Sequence, residues 1–353
     1  MTLKLRRGVV VATDPLTVDV EGKERRAWAD ESLVGEVREG DEVIVNCEAL
    51  DLELGSGGFD VVHVNLTRGL DGAGGGANAM KLNYTSLQHG VEPVEVPEDE
   101  ASAQPEHRVP VLVIPLHGHL APAAWAVGRA REGLRVGYVQ TGGGALPGAL
   151  SRDVTELRDR SLLAGHVTAG PAYGGEAEAI GVVGALHAAA DSMGWDAAIA
   201  GPGPGILGSA SRYGHGGMTA LDAAHAALAL GLPTLISPRL SSADPRPRHR
   251  GLSHHTDSVL RLLLDAVTVP VPEVAAGDWP TGELGPEDST APLDALREAC
   301  ANRHDVLVQP VELAAYRDSG LPTTTMGRDL NEDPLFFAAP LAAGAALAGK
   351  APA

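Results

Sequence analysis

Arginine crowds one short stretch of this chain. Residues 238–250 hold Arg239, Arg246, Arg248 and Arg250 against one acid, Asp244, although the 353-residue chain carries a net charge of −19. Guanidinium forks match carboxylate and phosphate oxygens, so a local cationic loop in an acidic protein reads as a receptor for a small anion. The competing reading is a surface loop whose arginines pair with distant acids. His249, His254 and His255 share the stretch, and His254 or His255 would serve as general base or acid with Asp244 to orient it. His117 is a third candidate for that role. His117 and His119 form an HxH, and alternate residues of an extended chain point the same way, so the pair is also a candidate for metal ligation, with Asp244 or His254 completing the set.

Glycine-rich segments supply a second kind of chemistry. Thr141, Gly142, Gly143 and Gly144 run into Ala145-Leu146-Pro147, where converging backbone N–H groups and a following helix N-terminus would hold an anion. The segment lacks the Lys-Ser/Thr of a Walker A loop and is not GxGxxG; a tight turn is the plain alternative. Gly170, Gly174 and Gly175 repeat the pattern before Glu176, which is expected in a first helical turn, as an orienting carboxylate or simply as a dipole partner. Gly203 and Gly205 open a long loop containing Arg212 and His215, too long for a mere connection in a compact domain and so expected to face a ligand. Near the C-terminus, residues 323–328 are expected to close over the site with Arg328 on the substrate, or else to lead into a terminal helix capped by Asp333.

These loops need elements to hold them. Apolar runs at 111–115, 135–140, 167–169, 196–200, 233–237, 266–271 and 305–309 alternate with Ala/Leu-rich helical stretches, the pattern of parallel strands covered on both faces. A doubly wound, Rossmann-like α/β domain over residues 109–353 is expected, with a β/α barrel as the alternative; either places ligands at the carboxyl ends of the strands. Residues 1–66 carry short β-prone runs at 5–12, 16–20, 34–37, 42–46 and 59–65 between turn signals, expected to close a small antiparallel β-barrel of SH3-like or OB-like type. Residues 67–108 read as a connector, interrupted by a denser segment at 80–88.

The runs Thr141-Gly-Gly-Gly-Ala-Leu-Pro147, Thr168-Ala-Gly170 with Gly174-Gly-Glu176, Gly201-Pro-Gly-Pro-Gly205, and Asp244-Pro-Arg-Pro-Arg-His-Arg250 with Ser253-His-His-Thr256 resemble an uncharacterised bacterial family known only as a domain of unknown function. The resemblance spans nearly the whole chain, supports the domain layout and implies no catalytic roles. The HxH spacing is also similar to that of metal-dependent amidohydrolases, whose remaining ligands have no counterpart here.

Composition narrows the partners. The net charge repels polyanions, and the barrel region holds seven Lys/Arg against fourteen Asp/Glu, so nucleic acid is not expected. Two widely spaced cysteines indicate neither disulfides nor a thiolate metal site. Without a signal-like start or an apolar span, a cytoplasmic protein off the membrane is expected. The Ala-rich tail at 335–349 would pack as a terminal helix or serve a homodimer. The sequence names no cofactor and leaves open an enzyme acting by hydrolysis or group transfer, a ligand sensor with the barrel as docking module, and an oligomeric scaffold.

Overall fold

A computed structural model of the protein describes residues 2–54, 57–72, 74, 76–97, 104–209, 211–280 and 287–352. The turn signal at 55–56 and the connector positions 73, 75 and 98–103 lie outside them. The chain divides into two compact units, Met1–Glu92 and Pro93–Ala353.

In the first unit β1 (Leu5–Thr13), β2 (Leu16–Val20), β3 (Lys23–Trp28), β4 (Glu42–Asn46) and β5 (Asp60–Asn65) close a barrel in the order β1-β2-β3-β5-β4, antiparallel except for the β3–β5 pair. That order is the Greek-key arrangement of the OB-like expectation. Val10, Val18, Val20, Val43, Val45 and Val62 fill its interior. Residues 34–37, expected as a strand, instead leave a short helix, α1 (Glu31–Val34), and send Val34 and Val37 into that core. The missing strand is β3, whose Lys23-Glu-Arg-Arg26 start hid it from an apolar search. Pairing imposes it: Val20 opposes Lys23 across a turn in which Glu21 and Gly22 both take the left-handed conformation that twists a two-residue hairpin correctly. Arg25 answers for its charge by gripping buried Asp60 with two nitrogens. A second short helix, α2 (Glu48–Asp51), follows β4, and the denser connector segment contributes a small hairpin, β6 (Ala79–Lys81) with β7 (His89–Val91).

The second unit is an open sheet of eight parallel strands, which settles the choice against a β/α barrel. Its strands are β8 (Val111–Val113), β9 (Val136–Thr141), β10 (Gly165–Ala169), β11 (Ala177–Ala179), β12 (Ala197–Pro202) and β13 (Thr234–Ile236), then, after a separate antiparallel pair of two-residue strands, β14 (Leu240–Ser241) and β15 (Gly251–Leu252), β16 (Thr268–Val274) and β17 (Asp305–Val311). The order is β11-β10-β9-β12-β8-β13-β16-β17. β11 is the strand the sequence hid: three residues, one of them Glu178, drawn into parallel register with Val167–Ala169. Glu176 therefore precedes a strand rather than opening a helix.

Alternation along the strands divides the core. Val111, Val113, Val139, Ala198, Ala200 and Ile236 face one layer, with α5 (Val182–Asp191), α6 (Thr219–Ala229), α7 (His254–Leu262) and α8 (Glu287–Cys300). Leu112, Ile114, Tyr138, Ile199 and Leu235 face the other, with α3 (Leu120–Ala130), α4 (Arg152–Asp159), α9 (Leu313–Arg317) and α10 (Pro334–Lys350). Before α10, β18 (Thr324–Thr325) and β19 (Arg328–Asp329) pair as a second tiny hairpin. The Ala-rich tail is thus α10, and its apolar side chains are spent inside this chain against α3, so they give no argument for a homodimer. Gly344 makes that packing close: a Cβ there would stand 2.1 Å from the Ala123 carbonyl oxygen. Among the described residues no helix is long and apolar enough to cross a membrane.

Candidate functional site

The chain enters the sheet at β8, in its middle, and later inserts β12 between β8 and β9. The carboxyl ends of β9, β12, β8 and β13 therefore lie side by side, where crossovers leave in different directions and open a crevice. The loops after β9 and β12 are pressed backbone to backbone. A Cβ on Gly216 would sit 1.7 Å from the Gly143 oxygen, and one on Gly144 would sit 2.1 Å from the Gly203 oxygen. Hydrogen bonds from Ala145 N to Pro204 O (2.7 Å) and from Leu207 N to Gly143 O (3.1 Å) sew the seam. Gly143, Gly144, Gly203 and Gly216 thus let two loops touch, Gly142 lies instead against Pro171 of the loop after β10, and Thr141 is buried at the end of β9 and bonds the Gly142 carbonyl. The helix expected directly after these glycines starts only at Arg152, capped by Ser151.

Beside the seam lies a cavity of about 370 Å³. Its cationic wall is Arg239, Arg246 and Arg248, its imidazole wall His215, His249 and His255, with His117 and Gly205 also on the lining. Among the described residues no aspartate or glutamate lines it. Thr325 and Met326 overhang it from the β18–β19 turn, whose Met326 and Gly327 are both left-handed. The terminal loop therefore borders this cavity.

One buried carboxylate holds the guanidiniums in place. Asp244 is bound by Arg246 through Nε (2.9 Å) and Nη2 (2.8 Å), and Arg239 and Arg328 each approach it at 3.5 Å. Burial would raise the Asp244 pKa, but the Arg246 hydrogen bonds and the neighbouring guanidiniums hold it far below the carboxylate range. Arg328 does not reach the cavity; its Nε bonds Asp333 at 3.0 Å. Asp333 stands at the N-cap of α10, yet its oxygens are taken by Ser241 Oγ and Ser242 N, both at 2.6 Å, rather than by the helix. Arg239 is almost fully buried; burial, then its neighbour Arg246, pulls it down to about 10, and its Nε has no hydrogen-bond partner. Arg248 has no carboxylate partner among the described residues.

The imidazoles pack against one another. His215 and His255 stack at 3.6 Å between centroids, His254 stands 4.5 Å from His255, and His249 4.9 Å from His254. All four are held toward the neutral form, first by burial and then by adjacent guanidiniums or imidazoles; His249 falls to about 3.

The HxH pair does not form a joint metal site. Residues His117–His119 make a 3-10 turn, in which positions i and i+2 diverge instead of pointing alike. His117 Nε2 lies 2.7 Å from Ser151 Oγ and its Nδ1 3.3 Å from the Pro202 carbonyl. That carbonyl only accepts, so Nδ1 carries the proton and Ser151 donates to Nε2. His119, fully buried, bonds Ser237 at 2.8 Å.

Other expected residues stand apart. Glu176 pairs with Arg158 at 2.6 Å and accepts from His166 N. Gly174 N and Gly175 N, which would have held an anion beside Gly170, donate to Glu178 and to Thr168 Oγ1. Arg212 is exposed, 3.8 Å from Asp257. Arg250 is exposed and bonds the Asp244 carbonyl at 3.3 Å. Of the residues the sequence search passed over, Ser151, Ser237 and Ser253 all bond imidazoles. Two of these serines were visible as N-caps, Ser151 before α4 and Ser253 before α7, but nothing local announces a histidine partner.

A family model described as Protein of unknown function (DUF3866) matches residues 26–344. No curated protein and no solved structure matches the chain.

Proposed function

We propose that this chain, which belongs to the DUF3866 family, binds a small phosphorylated or carboxylated metabolite in the cavity at the carboxyl ends of β8, β9, β12 and β13, and carries out hydrolysis or group transfer on it. The observation that carries this reading is the make-up of the wall: three guanidiniums, two of them sharing the one buried Asp244, and no lining carboxylate among the described residues, in a protein of net charge −19. Such a wall is costly for the protein alone and is repaid by an anion. The cavity volume suits a metabolite and falls within the range of small-ligand sites.

His117 supports the chemical half of the reading. It lines the cavity, its Nδ1 proton is fixed on the Pro202 carbonyl, and its free lone pair receives the Ser151 hydroxyl. A neutral, oriented imidazole of this kind takes a proton from an attacking hydroxyl or water.

The first test is a thermal-shift titration with inorganic phosphate and pyrophosphate. A ligand at about a hundred times its Kd stabilises the fold by about 2.7 kcal/mol, so the midpoint is expected to rise. Arg248→Ala, at an exposed position outside the Asp244 network, is expected to fold normally and lose the rise. An equal rise in both proteins, or none in the parent, overturns the reading.

A further inference from the structure

We propose that His215, His254 and His255 bind one divalent transition-metal ion of the zinc or cobalt kind at the edge of the anion cavity. Their ring nitrogens lie within 4.8 Å of one another. Three imidazoles with no carboxylate suit a borderline-soft ion rather than magnesium or calcium, and a three-histidine set leaves an open position for substrate.

Hydrogen bonding shows which atoms are available. His215 is 8% exposed; its Nε2 donates to the Arg212 carbonyl at 3.1 Å, which leaves Nδ1 as a lone pair. That Nδ1 is buried and has no hydrogen-bond partner, and the same holds for His254 Nε2. A backbone carbonyl on the far nitrogen is the support that fixes tautomer and ring angle in metal-binding histidines. An unpaired buried polar atom is costly, and here two of them share one site.

Ring geometry gives the order of ligation. A metal lies in the plane of each imidazole that binds it, so the lone pairs of His215 and His255, stacked with planes 8° apart, do not converge. The planes of His215 and His254 are 77° apart and do allow convergence. His215 Nδ1 and His254 Nε2 form the primary pair. His255 joins by turning about its Cβ–Cγ bond and giving up its 3.3 Å contact with Arg239 Nη1. The released guanidinium then faces the same anion as the ion. The site's existence stands apart from the anion reading; its use, polarising an oxygen of the bound anion, rests on it.

The test is a titration of chelator-treated full-length protein with Co²⁺ in phosphate-free buffer, followed by ligand-field absorption and metal content. The expected result is one ion per chain with the spectrum of a low-coordinate, nitrogen-ligated site, weakened more than tenfold in His215→Ala and in His254→Gln. Arg248→Ala is expected to keep the ion. His254 is only partly buried, so His254→Gln serves if His215→Ala does not fold. Absence of saturable binding, or a spectrum indifferent to both substitutions, overturns the proposal. Metal binding without phosphate binding sinks the anion reading and leaves this site; phosphate binding by metal-free protein with no Co²⁺ uptake does the reverse.

Discussion

Asp244 is the residue on which the cationic wall depends. It is fully buried, and three guanidiniums approach it within 3.5 Å. Removing one partner of a buried ion pair costs about 3–5 kcal/mol, because the charge left behind loses its compensation. Asp244→Asn keeps the shape and the backbone contacts but strips the charge, so urea denaturation is expected to show a loss of at least about 3 kcal/mol. An unchanged midpoint would mean that the arginines are held by something other than this carboxylate. Arg246 is held by that structural task, whereas Arg248, two positions on, has no carboxylate partner among the described residues and bonds only the His249 ring, at 3.4 Å.

At the level of elements, α3 and α10 are held at backbone distance by Gly344. Gly344→Ala drives a methyl into the Ala123 carbonyl, and overpacking of this kind costs about 1–3 kcal/mol even though alanine is the better helix former. A fall in the melting midpoint is expected, and a rise would show that the two helices separate without penalty. Elements like α10 and the central strands were legible in the sequence because their burial leaves local marks, continuous apolar runs and Ala-rich periodicity. β3 and β11 were not, since Lys23-Glu-Arg-Arg26 and Ala177-Glu-Ala179 become strands only through neighbours that pair with them. The site divides in the same way. The arginine loop was visible as a local charge anomaly, and the hairpin over the cavity as a polar stretch before the last helix. The partners of the histidines were not, because Ser151 lies 34 positions from His117 and Ser237 lies 118 from His119. The HxH was misread because extended backbone was assumed where the chain makes a 3-10 turn.

For the molecule as a whole, buried imidazoles set the response to acid. His119 and His249 sit near 3 in the folded protein, against an ordinary value of 6.5. A depressed folded value means that the unfolded chain binds the proton first. Their contribution is therefore complete above about pH 6.5 and is lost as pH falls from there toward about 3, at up to about 1.4 kcal/mol per pH unit for each ring. Urea unfolding between pH 7.5 and about 5.5, above the range where most carboxylates titrate, is expected to show the onset of this decline, and His119→Gln to flatten it. A profile that stays level across that window would mean that the rings are hydrated. The seam between Gly143 and Gly216 bears on how the cavity of such a molecule could change its size. Two of the walls around the crevice are stitched into one body, so neither can gain bulk or length without the other yielding. Variation in cavity size is left to the unstitched side, the arginine loop and the Met326 overhang, and an engineer seeking a roomier chamber should cut there first.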